Sequence, residues 1–120
     1  ELLQYLTRKQ YPLFILSNGF SEVQFAKMEQ AGIRDFFSGI ILSEEAGVNK
    51  PHPDIFRYAL KKAGSLPEET VMIGDNYDAD IQGAQAAGID QIFYNPNQQE
   101  ITAEPPTFTV FSLDEIPGIL

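Results

Sequence analysis

Short apolar runs recur along the chain, each stopping abruptly at small polar residues, and amphipathic stretches separate them. Leu13-Phe14-Ile15-Leu16, Ile40-Ile41-Leu42 and Val71-Met72-Ile73 have the length and apolar character of buried strands, as does Gln91-Ile92-Phe93-Tyr94. Residues 107–111 alternate like a final strand. Between the runs the period changes. Leu2, Leu3 and Leu6 repeat at helical spacing in residues 1–10, Arg8 and Lys9 suit that helix's C-terminal end, and Pro12 marks its exit. Ser21 with Gln24 matches a capping box, after which Val23, Phe25 and Met28 continue a helix closed by Gly32. Pro53 suits a first helical turn and Asp54 its positive end. Ile55, Phe56, Ala59, Leu60 and Ala63 form that helix's apolar stripe, closed by Gly64. Residues 81–87 read as helix ending at Gly88, residues 95–106 as a polar, proline-containing loop, and Ser112 with Glu115 matches a second capping box. Strands alternating with helices predict an α/β fold with a mostly parallel sheet covered by helices on both faces.

Composition narrows the partners. The 120 residues are 43% hydrophobic and 21% charged, which is globular, and the formal net charge is −9. That balance argues against a nucleic-acid backbone or an anionic membrane as main partner. It leaves room for a small phosphorylated substrate, which needs only one local cation. There is no cysteine, hence no disulfide, zinc thiolate or cysteine nucleophile. No apolar run approaches the ~20 residues of a membrane span, and no leader pattern is present, so a cytoplasmic location is expected. Residue 1 is Glu and the helical spacing begins at once, so the chain is expected to lie within a longer protein.

The polar residues that end the runs carry the candidate chemistry. Thr70 to Asp80 is the densest stretch: an apolar run, Gly74 to turn the backbone, then Asp75, Asp78 and Asp80. In open α/β sheets ligands bind at the carboxyl ends of strands. Asp75 and Asp80 there make a hard-oxygen pair suited to magnesium. Ser17-Asn18 closes the first strand, and Lys50 lies in the loop after the second. A serine hydroxyl and backbone N–H groups can bond phosphoryl oxygens, and an ammonium offsets their charge. Taken singly, Ser17-Asn18-Gly19 is an ordinary turn, Lys50 a solvated loop charge, and the aspartates helix caps. Their succession after consecutive strands favours a joint phosphoryl site.

Leu16-Ser17-Asn18-Gly19, then Asn49-Lys50-Pro51-His52-Pro53, then Ile73-Gly74-Asp75-Asn76 through Asp80 resemble the second, third and fourth motifs of the haloacid dehalogenase-like (HAD) hydrolase superfamily. The likeness covers nearly the whole chain. It implies a Rossmann-like three-layer sandwich and a magnesium-dependent phosphatase working through a phosphoaspartate. Ser17 and Asn18 would bind the transferring phosphoryl group, and Lys50 would bridge that group and the nucleophile. Asp75 would ligate Mg2+ directly, with Asp80 a second or outer carboxylate. The stretch Asp80 to Asp90, with Pro106 to Val110 and Ser112-Leu113, looks like bacterial pyrimidine 5′-nucleotidase-type members.

The family's first motif, an apolar strand ending in Asp-x-Asp that carries the nucleophile, has no counterpart here. Asp35, Asp54, Asp90 and Asp114 do not follow apolar strands, and Asp75 belongs to the fourth motif. The helical cap is absent too. The resemblance therefore implies a partial core domain over residues 1–120, the C-terminal half of a phosphatase, inactive by itself. The missing first strand is the central one of the family sheet, so an open slot is expected. The other half of the protein, exchange with a second copy, or direct pairing of the two bordering strands would close it.

Rival functions follow from the same residues. Dehalogenase or phosphomutase chemistry uses the same scaffold, although the acidic pair favours a metal-assisted phosphoryl transfer. A phosphate-receiver domain places its acidic residues before the Ser/Thr and Lys, the reverse of the order here. A non-catalytic nucleotide-binding or interaction module is weakened by the lack of G-x-G-x-x-G and G-x-x-x-x-G-K-[ST]. His52 is expected to be a capping or solvated side chain, and Glu44 and Glu45 surface charges at the rim. Phe36, Phe37, Phe56 and Phe93 are expected in the core. Tyr77 either borders the pocket or covers the helix start.

Overall fold

The computed structural model describes residues 2–19 and 22–120. Helix α1 (Leu2–Arg8) leads into strand β1 (Phe14–Ser17), helix α2 (Glu22–Gln30) and strand β2 (Gly39–Leu42). A short α3 (Ser43–Ala46) precedes α4 (Pro53–Ala63), β3 (Val71–Gly74), α5 (Gln82–Ala86), β4 (Asp90–Tyr94) and β5 (Phe108–Val110). All strand pairs are parallel. Strand β1 pairs with β2, Leu16 opposite Ile41, while β3 pairs with β4 and β4 with β5, Ile73 opposite Ile92 and Phe93 opposite Thr109.

The strand period of two sends side chains to both faces. On β3, Met72 packs against α4 and α5 through Ile55, Phe56, Leu60 and Ala84. Its neighbours Val71 and Ile73 pack on the opposite face with Leu2 of α1 and Ile116 of the C-terminal 3-10 turn. This is the expected three-layer arrangement, with helical elements on either side of parallel strands.

The strands form two sheets. Hydrogen-bonded ladders join β1–β2 and β3–β4–β5, and none joins β1 to β3. A cleft of about 460 Å³ runs between those two edges, lined by Phe14, Ile15 and Leu16 on one side and residues 71–74 on the other. The sequence marks β1 and β3 as buried strands, yet every residue of both is only half-buried. Strand β4, flanked on both sides, buries Gln91, Ile92 and Phe93. Strands β1 and β3 each have a hydrogen-bonded neighbour on one edge only, whereas β4 has one on both. The accessible surface of 7422 Å² agrees, since a compact 13.4 kDa monomer exposes about 6,500 Å².

Local signals are mostly met. Helix α4 starts with Pro53 and ends at Gly64, whose left-handed φ of 68° lets its N–H reach the Leu60 and Lys61 carbonyls. Other details go beyond the local signals. Residues Ser43–Ala46 form a helical turn. The helix after β3 begins with a π turn, Tyr77–Ile81, closed by the Gln82 N–H donating to the Tyr77 carbonyl, and Asn76 caps it by accepting from the Ala79 N–H. In α2 only Met28 is buried and Val23 is exposed. Residues Leu113–Gly118 form a 3-10 turn, and the Ser112–Glu115 pairing expected at its start is present, the Glu115 carboxylate accepting from the Phe111 and Ser112 N–H groups. The capping box involving Ser21 lies outside the described residues. Among the described residues no helix is long and apolar enough to cross a membrane.

Candidate active site

All five candidate side chains stand at the carboxyl ends of β1 and β3 or in the loop before α4. Strand β1 delivers Ser17 as its last residue and Asn18 just beyond. Asn18 reaches the loop across 32 residues of sequence. The Lys50 N–H donates to Asn18 Oδ1 at 2.7 Å, and Asn18 Nδ2 donates to the Lys50 carbonyl at 3.3 Å. Asn18's own carbonyl accepts from the Ser43 hydroxyl, 2.9 Å away. The side chain of Ser17 closes its own turn, donating to the Gly19 carbonyl at 2.6 Å and accepting from the Gly19 N–H. The Lys50–Pro51 peptide bond is cis.

From this anchored loop, Lys50 Nζ meets Asp80 Oδ1 at 2.6 Å. Both side chains are largely buried, 14% and 7% exposed, so water screens the pair weakly. The second oxygen of Asp80 accepts from the Asn76 N–H at 3.3 Å. The carboxylate fits only because residue 74 is glycine. A Cβ on Gly74 would stand 2.3 Å from Asp80 Oδ2. Asp75, by contrast, is exposed, and its carboxylate has no hydrogen-bond or ion-pair partner among the described residues. Lys50, Asp75 and Asp80 line the mouth of the cleft between β1 and β3.

The structure thus brings Asn18, Lys50 and Asp80 into one connected chain, with Asp75 on the same cleft and Ser17 beside Asn18. The sequence reading singled out all five. It did not single out Gly74 as space for a carboxylate, Ser43 as Asn18's support, or Gly83. A Cβ on Gly83 would lie 2.3 Å from Phe56 and 3.1 Å from the Pro51 carbonyl, so this close approach packs α5 against the lysine loop. A glycine within a helical segment is the only sequence signal for it.

The donor set fits magnesium in part. Mg2+ commonly takes one or two carboxylates and completes its shell with water and phosphate oxygens. Asp75 offers an unengaged carboxylate and Asp80 one already shared with Lys50. Among the described residues no group of three or more acidic or histidine side chains gathers at one point.

Several other readings resolve. His52 caps α4, its Nδ1 accepting from the Asp54 N–H. Tyr77 is buried edge-on against Phe93, and its hydroxyl donates to the Glu104 carbonyl. Phe56 and Phe93 are fully buried, while Phe36 and Phe37 are half-buried, Phe37 along the cleft. Glu45 is exposed but engaged. The Leu42 N–H, then the Tyr58 hydroxyl and Lys62, hold its carboxyl below the usual range.

A haloacid dehalogenase-like hydrolase model matches residues 1–88. The chain belongs to that family. Pyrimidine 5′-nucleotidase YjjG of Escherichia coli (strain K12) is 40% identical over 111 residues, covering 88% of this chain and 48% of that protein. Pyrimidine 5′-nucleotidase PynA of Streptococcus pneumoniae (strain ATCC BAA-255 / R6) is 36% identical over 118 residues, covering 97% and 50%. Both carry the name of the branch that the C-terminal pattern resembles. The structure of YfnB from Bacillus subtilis, bound to magnesium, superposes with a TM-score of 0.88 at 34% identity, covering 98% of this chain and 52% of that one. The HAD chain thus spans about half the length of the curated relatives it matches.

Proposed function

We propose that this chain is the C-terminal half of a magnesium-dependent phosphatase that hydrolyses a small phosphate monoester, and forms part of its core domain. The connected chain Asn18–Lys50–Asp80 beside the open carboxylate of Asp75 carries the reading. It sets one fixed cation and one exposed anion at the strand ends, where a phosphoryl group and its counter-ion need them. In this proposal Asp75 holds Mg2+ directly and Asp80 supports it from the outer shell. When bound, the ion would supply the charge neutralisation that lets an anionic substrate meet an anionic nucleophile.

The chain's own residues take the remaining roles. Ser17, on leaving its turn contact with Gly19, offers its hydroxyl to a phosphoryl oxygen, and the backbone at Asn18 adds an N–H. Lys50, held by Asp80, presents its ammonium to the phosphoryl group and the attacking carboxylate. That nucleophile is proposed to be an aspartate on a strand outside this chain, filling the cleft between β1 and β3 and forming the phosphoaspartate. The partner segment is the other half of the same protein, with self-association through the slot as the alternative. Nucleotides or sugar phosphates are the proposed substrates, supported by the nucleotidase names of two relatives. The cytoplasm is the proposed setting.

The test uses the full-length protein with p-nitrophenyl phosphate and nucleoside 5′-monophosphates. Turnover should require Mg2+, and Lys50→Ala or Asp75→Asn should lower kcat/KM by about 100-fold or more. Metal-independent release of halide from a 2-haloacid, with no phosphatase activity, would replace this reading by dehalogenation.

A further inference from the structure

We infer that the Asn18 side chain is a positioning residue, a two-pronged clamp that fixes the Lys50 backbone, rather than a direct contact to the phosphoryl group. Its kinetic consequence rests on the phosphatase reading; the clamp itself does not. Both polar atoms of the carboxamide are committed to one residue: Oδ1 receives the Lys50 N–H and Nδ2 donates to the Lys50 carbonyl. The orientation of the amide is fixed by its partners, since a backbone N–H can face only the oxygen and a carbonyl only the nitrogen. The contact imitates one rung of a strand ladder between β1's end and a loop that belongs to no sheet.

Its placement gives the clamp a purpose. Within this chain no ladder joins the carboxyl ends of β1 and β3. The chain Asn18–Lys50 backbone–Lys50 ammonium–Asp80 crosses the mouth of the cleft instead. The anchor at its β1 end is firm. The Asn18 carbonyl is held by Ser43, which is buried. On the α5 side, Gly83 lets the helix pack directly against the Pro51 carbonyl and Phe56. Lys50 is therefore held at three points: Asn18 at its backbone, α5 beneath the following residue, and Asp80 at its tip. Truncating Asn18 frees the backbone while leaving the ammonium paired.

NMR of the protein tests the clamp without substrate. In the wild type a scalar coupling across the hydrogen bond should link the Lys50 amide nitrogen to the Asn18 side-chain carbonyl carbon. In Asn18→Ala, Lys50 amide exchange should accelerate about fivefold or more, the worth of an ordinary hydrogen bond. Ile89, whose N–H donates to the Ala84 carbonyl, should keep its rate and so report an intact fold. No coupling in the wild type, or unchanged Lys50 exchange in the variant, overturns the clamp. If Asn18→Ala fails to fold, the wild-type coupling decides. With full-length enzyme and p-nitrophenyl phosphate, Asn18→Ala should lower kcat about tenfold with KM within about twofold. A raised KM at unchanged kcat would make Asn18 a substrate contact and overturn the inference. A wild-type enzyme inert toward phosphate esters would sink the phosphatase reading, and the NMR results would still judge the clamp.

Discussion

Replacing Gly74 by alanine should destabilise the protein through Asp80. The new Cβ would lie 2.3 Å from Asp80 Oδ2, 2.5 Å from its Cβ and 2.6 Å from its Cγ. Rotating the carboxylate away would relieve only part of this, because the Asp80 Cβ is tied to its backbone. The turn Tyr77–Ile81 must therefore move, and with it the acceptor 2.6 Å from Lys50 Nζ. Alanine gains about 0.5–1 kcal/mol over glycine from backbone entropy. Against that stand about 1–3 kcal/mol for overpacking and part of the ~3–5 kcal/mol lost when one partner leaves a buried ion pair. The steric and electrostatic costs win, for a net destabilisation of about 2–4 kcal/mol. Urea unfolding at unchanged m-value measures it. In an Asp80→Ala background, two of the three close contacts and the ion pair are already gone. There Gly74→Ala should cost at least ~1 kcal/mol less than in the wild type. Strict additivity, or a single variant within about 0.5 kcal/mol of wild type, would refute the claim that Gly74 makes room for this carboxylate.

Gly83→Ala sets a helix-propensity gain of up to ~1 kcal/mol against overpacking on the buried Phe56 ring, and should lose about 1–2 kcal/mol net. A raised melting temperature would contradict it. Tyr77→Phe keeps the ring against Phe93 and removes the hydroxyl bonded to the Glu104 carbonyl, so it should lower stability by about 0.5–1.5 kcal/mol in urea unfolding. Glu45 titrates below its ordinary 4.5 in the folded state, so its contribution is present above pH 4.5 and disappears as pH falls through the lowered value. The midpoint difference between wild type and Glu45→Gln should therefore be greatest near neutral pH and vanish in acid; a difference that grows in acid would reverse the sign of the argument.

The strands and their polar ends were legible because run length and turn residues are local signals. Ser17, Asn18 and Asp75 stand out that way as strand-end residues, and Lys50 and Asp80 as charges in the segments that follow strands. What they do to one another was not. The Asn18–Lys50 contact joins residues 32 apart, and no spacing rule reports it. The helical turn Ser43–Ala46 is too short to show a period, and the π turn Tyr77–Ile81 rests on a backbone bond from the Gln82 N–H to the Tyr77 carbonyl that no side-chain period reports. The half-burial of β1 and β3 is invisible in their composition, since an apolar run reads the same with one neighbouring strand or two. Only the family resemblance, with its central strand unaccounted for, pointed to the slot.

The proposal is that this chain would supply the phosphoryl-orienting and metal-holding side chains of a site whose nucleophile lies elsewhere. The most direct measurement compares the purified 120-residue chain with the full-length protein on p-nitrophenyl phosphate in saturating Mg2+. The account predicts turnover by the full-length protein and none by the 120-residue chain. Phosphate release by the chain alone, abolished by Lys50→Ala, would show that the site is complete without a further carboxylate and would contradict the account.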